Sequence, residues 1–303
     1  MNKVNILDNI SPYIYGTTRL GDDSIPFEER VAVAQTAMQS GVWFHTSRQY
    51  NSALEVLRAA FDNNRSSVPK LIIKMGGGTV EELIKDVKTN LDALAVDSLE
   101  IGQLCLWGKV ADDLASGGSS IQELQKLRES GLVKNFVLEV FPWSSAMPLK
   151  ALQGGYTKGL IEAFIFYCNP LQRFASNELW DLIQAEKYPV IAMRTISGGP
   201  VHSLRDILGF AWKQYLHDRA VEVAPIFERS GVASWTEFCV RFAHSIPMVK
   251  ATVGTSSKIN RFNEFITAVN NLKPLPQEIM NEIATLQYRW SDETDVVAEP
   301  WSM

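Results

Sequence analysis

The sequence predicts an α/β chain closed into a (β/α)8 barrel, and three observations carry that expectation. Short runs of β-branched and apolar residues recur at 42–46, 70–75, 99–106, 133–140, 163–168, 190–193 and 249–253, with an opening run near 13–17. Segments with helical spacing separate them, so that a helix follows each strand. Several runs are apolar throughout, as in parallel strands covered on both faces rather than in a sheet with one wet side. Eight right-handed strand–helix units close into a barrel more readily than they form an open doubly wound sheet, which is the alternative arrangement.

The helical segments carry their own start and stop signals. FEERVAVAQTAMQSG ends on Gly41, a residue suited to a C-cap, and VEELIKDVKTNLDALAV follows Thr79, whose hydroxyl can cap the first turn. The rhythm breaks from about Gly198 to Gly231, where RDILGFAWKQYLHDRAVEVAPIFERSG predicts an extra helical insertion after strand 7. A C-terminal tail after Tyr288 mixes acids with Trp290 and Trp301, and it either packs over one barrel end or frays. No linker divides the chain, so residues 1–303 are read as one barrel domain.

Composition narrows the function classes. A net charge of -5 gives no long-range attraction for phosphate backbones or anionic bilayers, so nucleic acid and membrane partners are not expected. Cys105, Cys168 and Cys239 lie far apart without paired metal spacing, which suits a reducing compartment better than a disulfide scaffold and predicts no metal site. The opening MNKVNILDNISPYIYG lacks the apolar core and cleavage site of an export signal, and no stretch reaches the ~20 apolar residues of a membrane span. Together these predict a cytoplasmic protein with a small-molecule partner; the oligomeric state is not encoded in any of these features.

The order of the strand-end motifs resembles the aldo-keto reductase superfamily over roughly residues 15–286. The matching words are YGTTRLG at 15–21, GVWFHTSRQYN at 41–51, IIKMG at 72–76, DSLEIGQLCLW at 97–107, GLVKNF at 131–136, CNPLQR at 168–173, SGGP at 197–200 and VGTSSKINRFNE at 253–264. No single word is specific, whereas the ordered set is.

The resemblance implies a TIM barrel that reduces carbonyl compounds with NADP(H), a Tyr giving a proton, a Lys stabilising the phenolate, an Asp pairing with that Lys and a His orienting the substrate. By position Tyr50 and Lys74 are kept, while His45 stands where the family has Asp and Cys105 where it has His. The side chains that hold the nicotinamide carboxamide correspond to Glu139, Val140 and Ile165, and the aromatic residue under the ring to Met193 or Arg194, so the nicotinamide pocket is expected to be dismantled. Ser256, Lys258, Arg261 and Glu264 correspond to the adenosine-phosphate loop and its helix, where exposed N–H groups favour an anion. Without its Asp, Lys74 is expected to lose basicity in a partly desolvated mouth.

Read from the residues themselves, Glu139 needs a cation if it turns into the barrel, and Lys74, Arg48 and Arg194 are the candidates. A Tyr50–Lys74–Glu139 acid/base group is one outcome; a solvated Glu139 beside Pro142 is the other. His45 is either an acid/base group or a satisfied structural residue, and Cys105 either a nucleophile or an inert thiol. Trp43, Trp107 and Trp143 fall near strand ends and either line an aromatic pocket or pack in the core, while Gly76-Gly77-Gly78 lacks nucleotide-binding spacing. Three functions stay open: a reductase with a degenerate site, a non-redox lyase, isomerase or dehydratase using Tyr50, Lys74 and Glu139, and a non-catalytic binding protein.

Overall fold

The β-rich runs become strands and the periodic segments become helices. The computed structural model describes residues 6–141, 145–196 and 214–292. The strands are β1 (Tyr13–Gly16), β2 (Trp43–Thr46), β3 (Leu71–Gly77), β4 (Leu99–Leu106), β5 (Val133–Glu139), β6 (Ile161–Asn169), β7 (Gln172–Arg173), β8 (Val190–Met193) and β9 (Val249–Thr255). The helices are α1 (Phe27–Gln39), α2 (Ala53–Asn63), α3 (Val80–Leu94), α4 (Gly108–Ser116), α5 (Ser120–Glu129), α6 (Ala146–Gln153), α7 (Asn177–Glu186), α8 (Gln214–Arg229), α9 (Trp235–Ser245), α10 (Ile259–Asn270) and α11 (Gln277–Asp292). The expected Trp143, Pro142 and Trp301 and the SGGP word at 197–200 lie outside the described residues.

Strands pair in the order β5-β4-β3-β2-β1-β9-β8-β6, and β5 also pairs with β6. All these pairings are parallel, so eight strands close on themselves and the open sheet is excluded. The two-residue β7, which the sequence pattern does not announce, folds back antiparallel on β6 with Cys168 opposite Arg173. Asn169 makes that turn by accepting the Leu171 N–H at 2.9 Å through its own side chain. The predicted insertion appears as α8, an additional helix ahead of α9, and Trp290 of α11 is buried against it with its indole N–H on Glu222 at 3.2 Å. Among the described residues no helix is long and apolar enough to cross a membrane.

Alternation of side chains along each strand sorts the residues into two cores. Phe44, Tyr13, Tyr15 and their outward neighbours pack under the helices, whereas Ile14, Trp43, Ile72, Ile101, Val137 and Ile165 belong to a separate apolar cluster inside the cylinder. Leu7 and Ile10, in and beside a 3-10 turn at Ile6–Asn9, join the inner cluster. The same parity carried two residues onward along each strand turns His45, Lys74, Gln103, Glu139 and Tyr167 inward. An apolar floor therefore supports a polar layer at the C-terminal rim, the end where barrels of this kind carry their chemistry.

Local signals hold the elements in register. The Thr79 hydroxyl accepts the Glu82 N–H at 3.2 Å while the Glu82 carboxylate accepts the Gly78 and Thr79 N–H groups at 2.7 and 3.2 Å, a complete capping box. Gly41 ends α1 with φ of 69°, as its position predicted. Tyr13 stacks on Phe265 at 4.2 Å and its hydroxyl donates to the Gly254 carbonyl at 3.1 Å, locking β1 and β9 to α10. A Cβ at Gly254 would lie 2.2 Å from the Phe265 ring. Gly254→Ala is accordingly expected to destabilise the fold by about 1–3 kcal/mol through overpacking, read as a lower urea midpoint at unchanged slope; an unaltered midpoint would show that this contact is not constraining.

Candidate active site

At the rim the inward parity of β3, β4 and β5 brings Lys74, Cys105 and Glu139 together. Lys74 Nζ donates to Glu139 Oε1 at 3.1 Å, and the Cys105 thiol donates to the other oxygen, Oε2, at 2.6 Å. Lys74 and Glu139 are both buried, so each charge depends on the other to offset its lost hydration. Burial by itself lowers the basicity of Lys74, but Glu139, followed by Tyr50, outweighs it and lifts the amine above the ordinary lysine value. The expected loss of Lys74 basicity is thus corrected: the carboxylate missing from β2 is supplied by β5.

Tyr50 reaches this pair from the β2–α2 loop. Its N–H bonds the Ser47 carbonyl at 3.1 Å and its carbonyl accepts the Ala53 N–H at 2.9 Å. Asn51 takes a φ of 45° and donates to the Gly21 carbonyl at 3.2 Å, while a Cβ on Gly21 would sit 2.0 Å from the Tyr50 carbonyl oxygen. Only glycine lets the two loops approach so closely. Arg48 is pinned to Asp86, whose second oxygen accepts the Gly76 N–H at 3.0 Å, so Arg48 is not the Glu139 partner. Burial pushes the Tyr50 phenol up to about 12 against the lowering field of Lys74, leaving a protonated hydroxyl next to an ammonium.

The other two rim candidates, His45 and Cys105, each hydrogen-bond a rim neighbour. Burial, then Lys74, lowers the His45 imidazole to about 4, so it is neutral at physiological pH. Its Nε2 lies 2.6 Å from the Gln103 carbonyl oxygen, which requires Nε2 to carry the proton, and the Gln103 amide continues to Met193 Sδ at 3.8 Å. Burial and the adjacent Glu139 raise the Cys105 thiol well above its usual value, which makes it a hydrogen-bond donor rather than a nucleophile.

The second group of candidates lies on the loop after β9. Ser256 accepts the Lys258 N–H at 2.9 Å, and its carbonyl is held by the Tyr15 hydroxyl at 2.6 Å. Lys258 precedes α10 without a side-chain cap on the helix, and in the first turn the Arg261 N–H is accepted by the Asn260 side chain at 2.9 Å. Arg261 and Glu264 pair with each other at 2.7 Å on the exposed face. Both groups sit at the C-terminal ends of parallel strands and hence on one face of the barrel.

Two rim residues escaped the sequence reading, Gln103 and Tyr167, which were announced only by parity from Ile101 and Ile165; Arg194, a candidate partner for Glu139, lies elsewhere. Tyr167 stacks on Phe174 at 4.6 Å, and the Arg194 guanidinium lies 5.3 Å over the Tyr167 ring. The tryptophans divide. Trp43 opens β2 and is buried in the floor, at the opposite end from the rim, so it lines no site. Trp107 is 57% exposed and lies against Gly76 and Gly78, where added Cβ atoms would meet its ring at 3.1 and 2.9 Å.

The buried neutral His45 has a pH consequence. Its folded value of about 4 lies below the free value of 6.5, so the unfolded chain takes up the proton first and stability, complete above pH 6.5, drains away as pH falls toward 4. His244, hydrogen-bonded to Thr252 at 3.2 Å, is lowered by burial to the same value and acts over the same window. Between pH 7 and pH 5 the stability loss in His45→Gln should be smaller than in the parent chain by about 2 kcal/mol, measured by urea unfolding at both pH values. Equal losses would mean that His45 is hydrated or charged in the fold.

Comparison with known proteins places this geometry. The sequence model of the aldo/keto reductase family matches residues 12–287. An aldo-keto reductase of Bacillus halodurans in its holo form superposes with a TM-score of 0.67 at 17% identity, covering 92% of each chain. Structures of a Klebsiella pneumoniae aldo-keto reductase, one with NADP and acetate and one with NADPH, give the same TM-score at 16% identity, again covering 92% of each chain. No curated protein sequence matches. At such low identity the superpositions establish the fold, and the family model over nine-tenths of the length establishes membership: this chain belongs to the aldo/keto reductase family.

Proposed function

We propose that the chain interconverts a small-molecule carbonyl and its alcohol with NADP(H), using an acid–base group whose carboxylate has moved from β2 to β5. The observation that carries this reading is the 3.1 Å contact of Lys74 with Glu139 beside a protonated Tyr50. Tyr50 is the proton donor to a carbonyl oxygen at the rim. Lys74 stabilises the phenolate left behind, and Glu139 keeps Lys74 charged without competing for the substrate.

The family and the nucleotide-bound Klebsiella pneumoniae structures support NADP(H) as the cofactor, which when bound supplies or accepts the hydride. Ser256, Lys258 and Arg261 at the uncapped start of α10 are the residues that would hold its phosphates. The ring end differs. Glu139 is engaged by Lys74 and Cys105, and Val140 and Ile165 are apolar and buried, so the chain offers none of the family's amide or hydroxyl partners at these positions. That observation favours a second reading, a lyase, isomerase or dehydratase in which Tyr50, Lys74 and Glu139 move protons alone.

One titration separates the two. NADPH fluorescence should report micromolar binding, an aldehyde panel should oxidise the bound cofactor, and Tyr50→Phe should lower that turnover by at least about a hundredfold. Glu139→Gln should lower it as well, because a buried Lys74 then lacks its counter-charge. No binding near millimolar NADPH would remove the redox reading and leave proton transfer.

A further inference from the structure

Trp107 is an exposed aromatic residue in a position that the barrel itself dictates. Register pairs Lys74 with Gln103 and Gly76 with Cys105, and the pairing runs on past β4, where the Trp107 N–H donates to the Gly77 carbonyl at 3.3 Å. Lys74 and Cys105 point inward to meet Glu139, so Gly76, two residues after Lys74, also faces the mouth. A Cβ on Gly76 would meet the Trp107 ring at 3.1 Å, and one on Gly78 would meet it at 2.9 Å. The indole therefore lies on the inner side of the β3 end, in space that two side chains would otherwise fill.

The backbone beyond Trp107 is fixed as well. Gly108 follows with a φ of 55°, and the Val110 N–H, in the first turn of α4, donates to the Gly78 carbonyl at 3.1 Å. One face of the ring is thus seated on glycine while the residue as a whole stays 57% exposed. The other exposed large apolar residues among the described ones, Phe27, Val221, Ile259 and Leu272, lie on helices or just beyond one, outside the inward strand columns. Trp107 alone among them stands one side-chain layer above Cys105. A flat apolar surface held open at that place suits the flat apolar part of a substrate.

We propose that Trp107 is a specificity-determining residue and that the carbonyl substrate carries a planar aromatic ring, which stacks on the open indole face while the carbonyl meets Tyr50. The inference rests on the acid–base reading of Tyr50 and deepens it by naming the substrate class. Stacking separates an aromatic ring from a saturated one of similar size, since only the former complements the indole quadrupole.

The test compares 3-phenylpropanal with 3-cyclohexylpropanal, whose carbonyls are alike in reactivity because neither is conjugated with its ring. NADPH turnover by the full chain should favour the phenyl compound about fivefold in kcat/KM, the scale of one stacked pair. Trp107→Phe should keep most of that preference. Trp107→Leu and Trp107→Val, which retain apolar bulk without a π face, should bring it within about twofold of unity. All three should melt close to the parent chain, because the side chain is largely exposed. No preference in the parent, or one that Trp107→Leu leaves unchanged, overturns the inference and leaves the reductase reading standing. If neither aldehyde is reduced, the reductase reading falls and calorimetry with the corresponding alcohols decides: tighter phenyl binding that Trp107→Leu abolishes supports the stacking face, and equal or undetectable affinities overturn it. A larger Trp107-dependent preference for 4-(trimethylammonio)butanal overturns the choice of an aromatic ring in favour of a cation. Self-association in sedimentation that Trp107→Leu removes assigns the face to a second copy of the chain and overturns the ligand role.

Discussion

The ion pair between Lys74 and Glu139 is the constraint on which the rim depends. Two charges buried at the mouth of an apolar cylinder offset each other's lost hydration, and removing either leaves a buried charge without its opposite at a cost of about 3–5 kcal/mol. Every neighbour is arranged around that fact. Cys105 satisfies the second carboxylate oxygen, His45 stays neutral and turns to Gln103, and Tyr50 keeps its proton beside the ammonium. The charge pattern follows from solvation, and the chemistry proposed for the site follows from the charge pattern.

Strand periodicity builds this arrangement in a simple way. Each inward apolar residue of the floor is followed two positions later by an inward residue of the rim: Trp43 by His45, Ile72 by Lys74, Ile101 by Gln103, Val137 by Glu139 and Ile165 by Tyr167. A shift of one residue in any strand would exchange the polar rim for the helix-facing core. The floor and the site are thus one specification, and the helices that cover the outer core hold the site indirectly.

Much of this was legible in the residues. The eight strand positions, the Thr79 cap, the Gly41 stop and the extra helix before β9 all rest on local signals that the fold respects. The candidate status of Glu139 also followed from physics, since an inward carboxylate demands a cation. Its choice of Lys74 over Arg48 and Arg194 did not, because that choice depends on Asp86 reaching from α3 to hold Arg48 and on Tyr167 lying under Arg194. Of the two readings left open for Trp43, core packing holds, because it opens β2 and lies in the floor rather than at the rim. The left-handed Arg194 is held by a tertiary contact of Asn169 that no local pattern announces, whereas β7 follows a local turn in which the Asn169 side chain accepts the Leu171 N–H.

The protonation state of Lys74 tests the whole account most directly. With lysine labelled at 13Cε and the signal assigned by its loss in Lys74→Arg, a pH titration should show the Lys74 resonance fixed in its charged position beyond 10.5, the ordinary value for the side chain. A midpoint near or below about 9 would mean that burial has prevailed over Glu139, and the relocated carboxylate would then have no role in the chemistry of the rim.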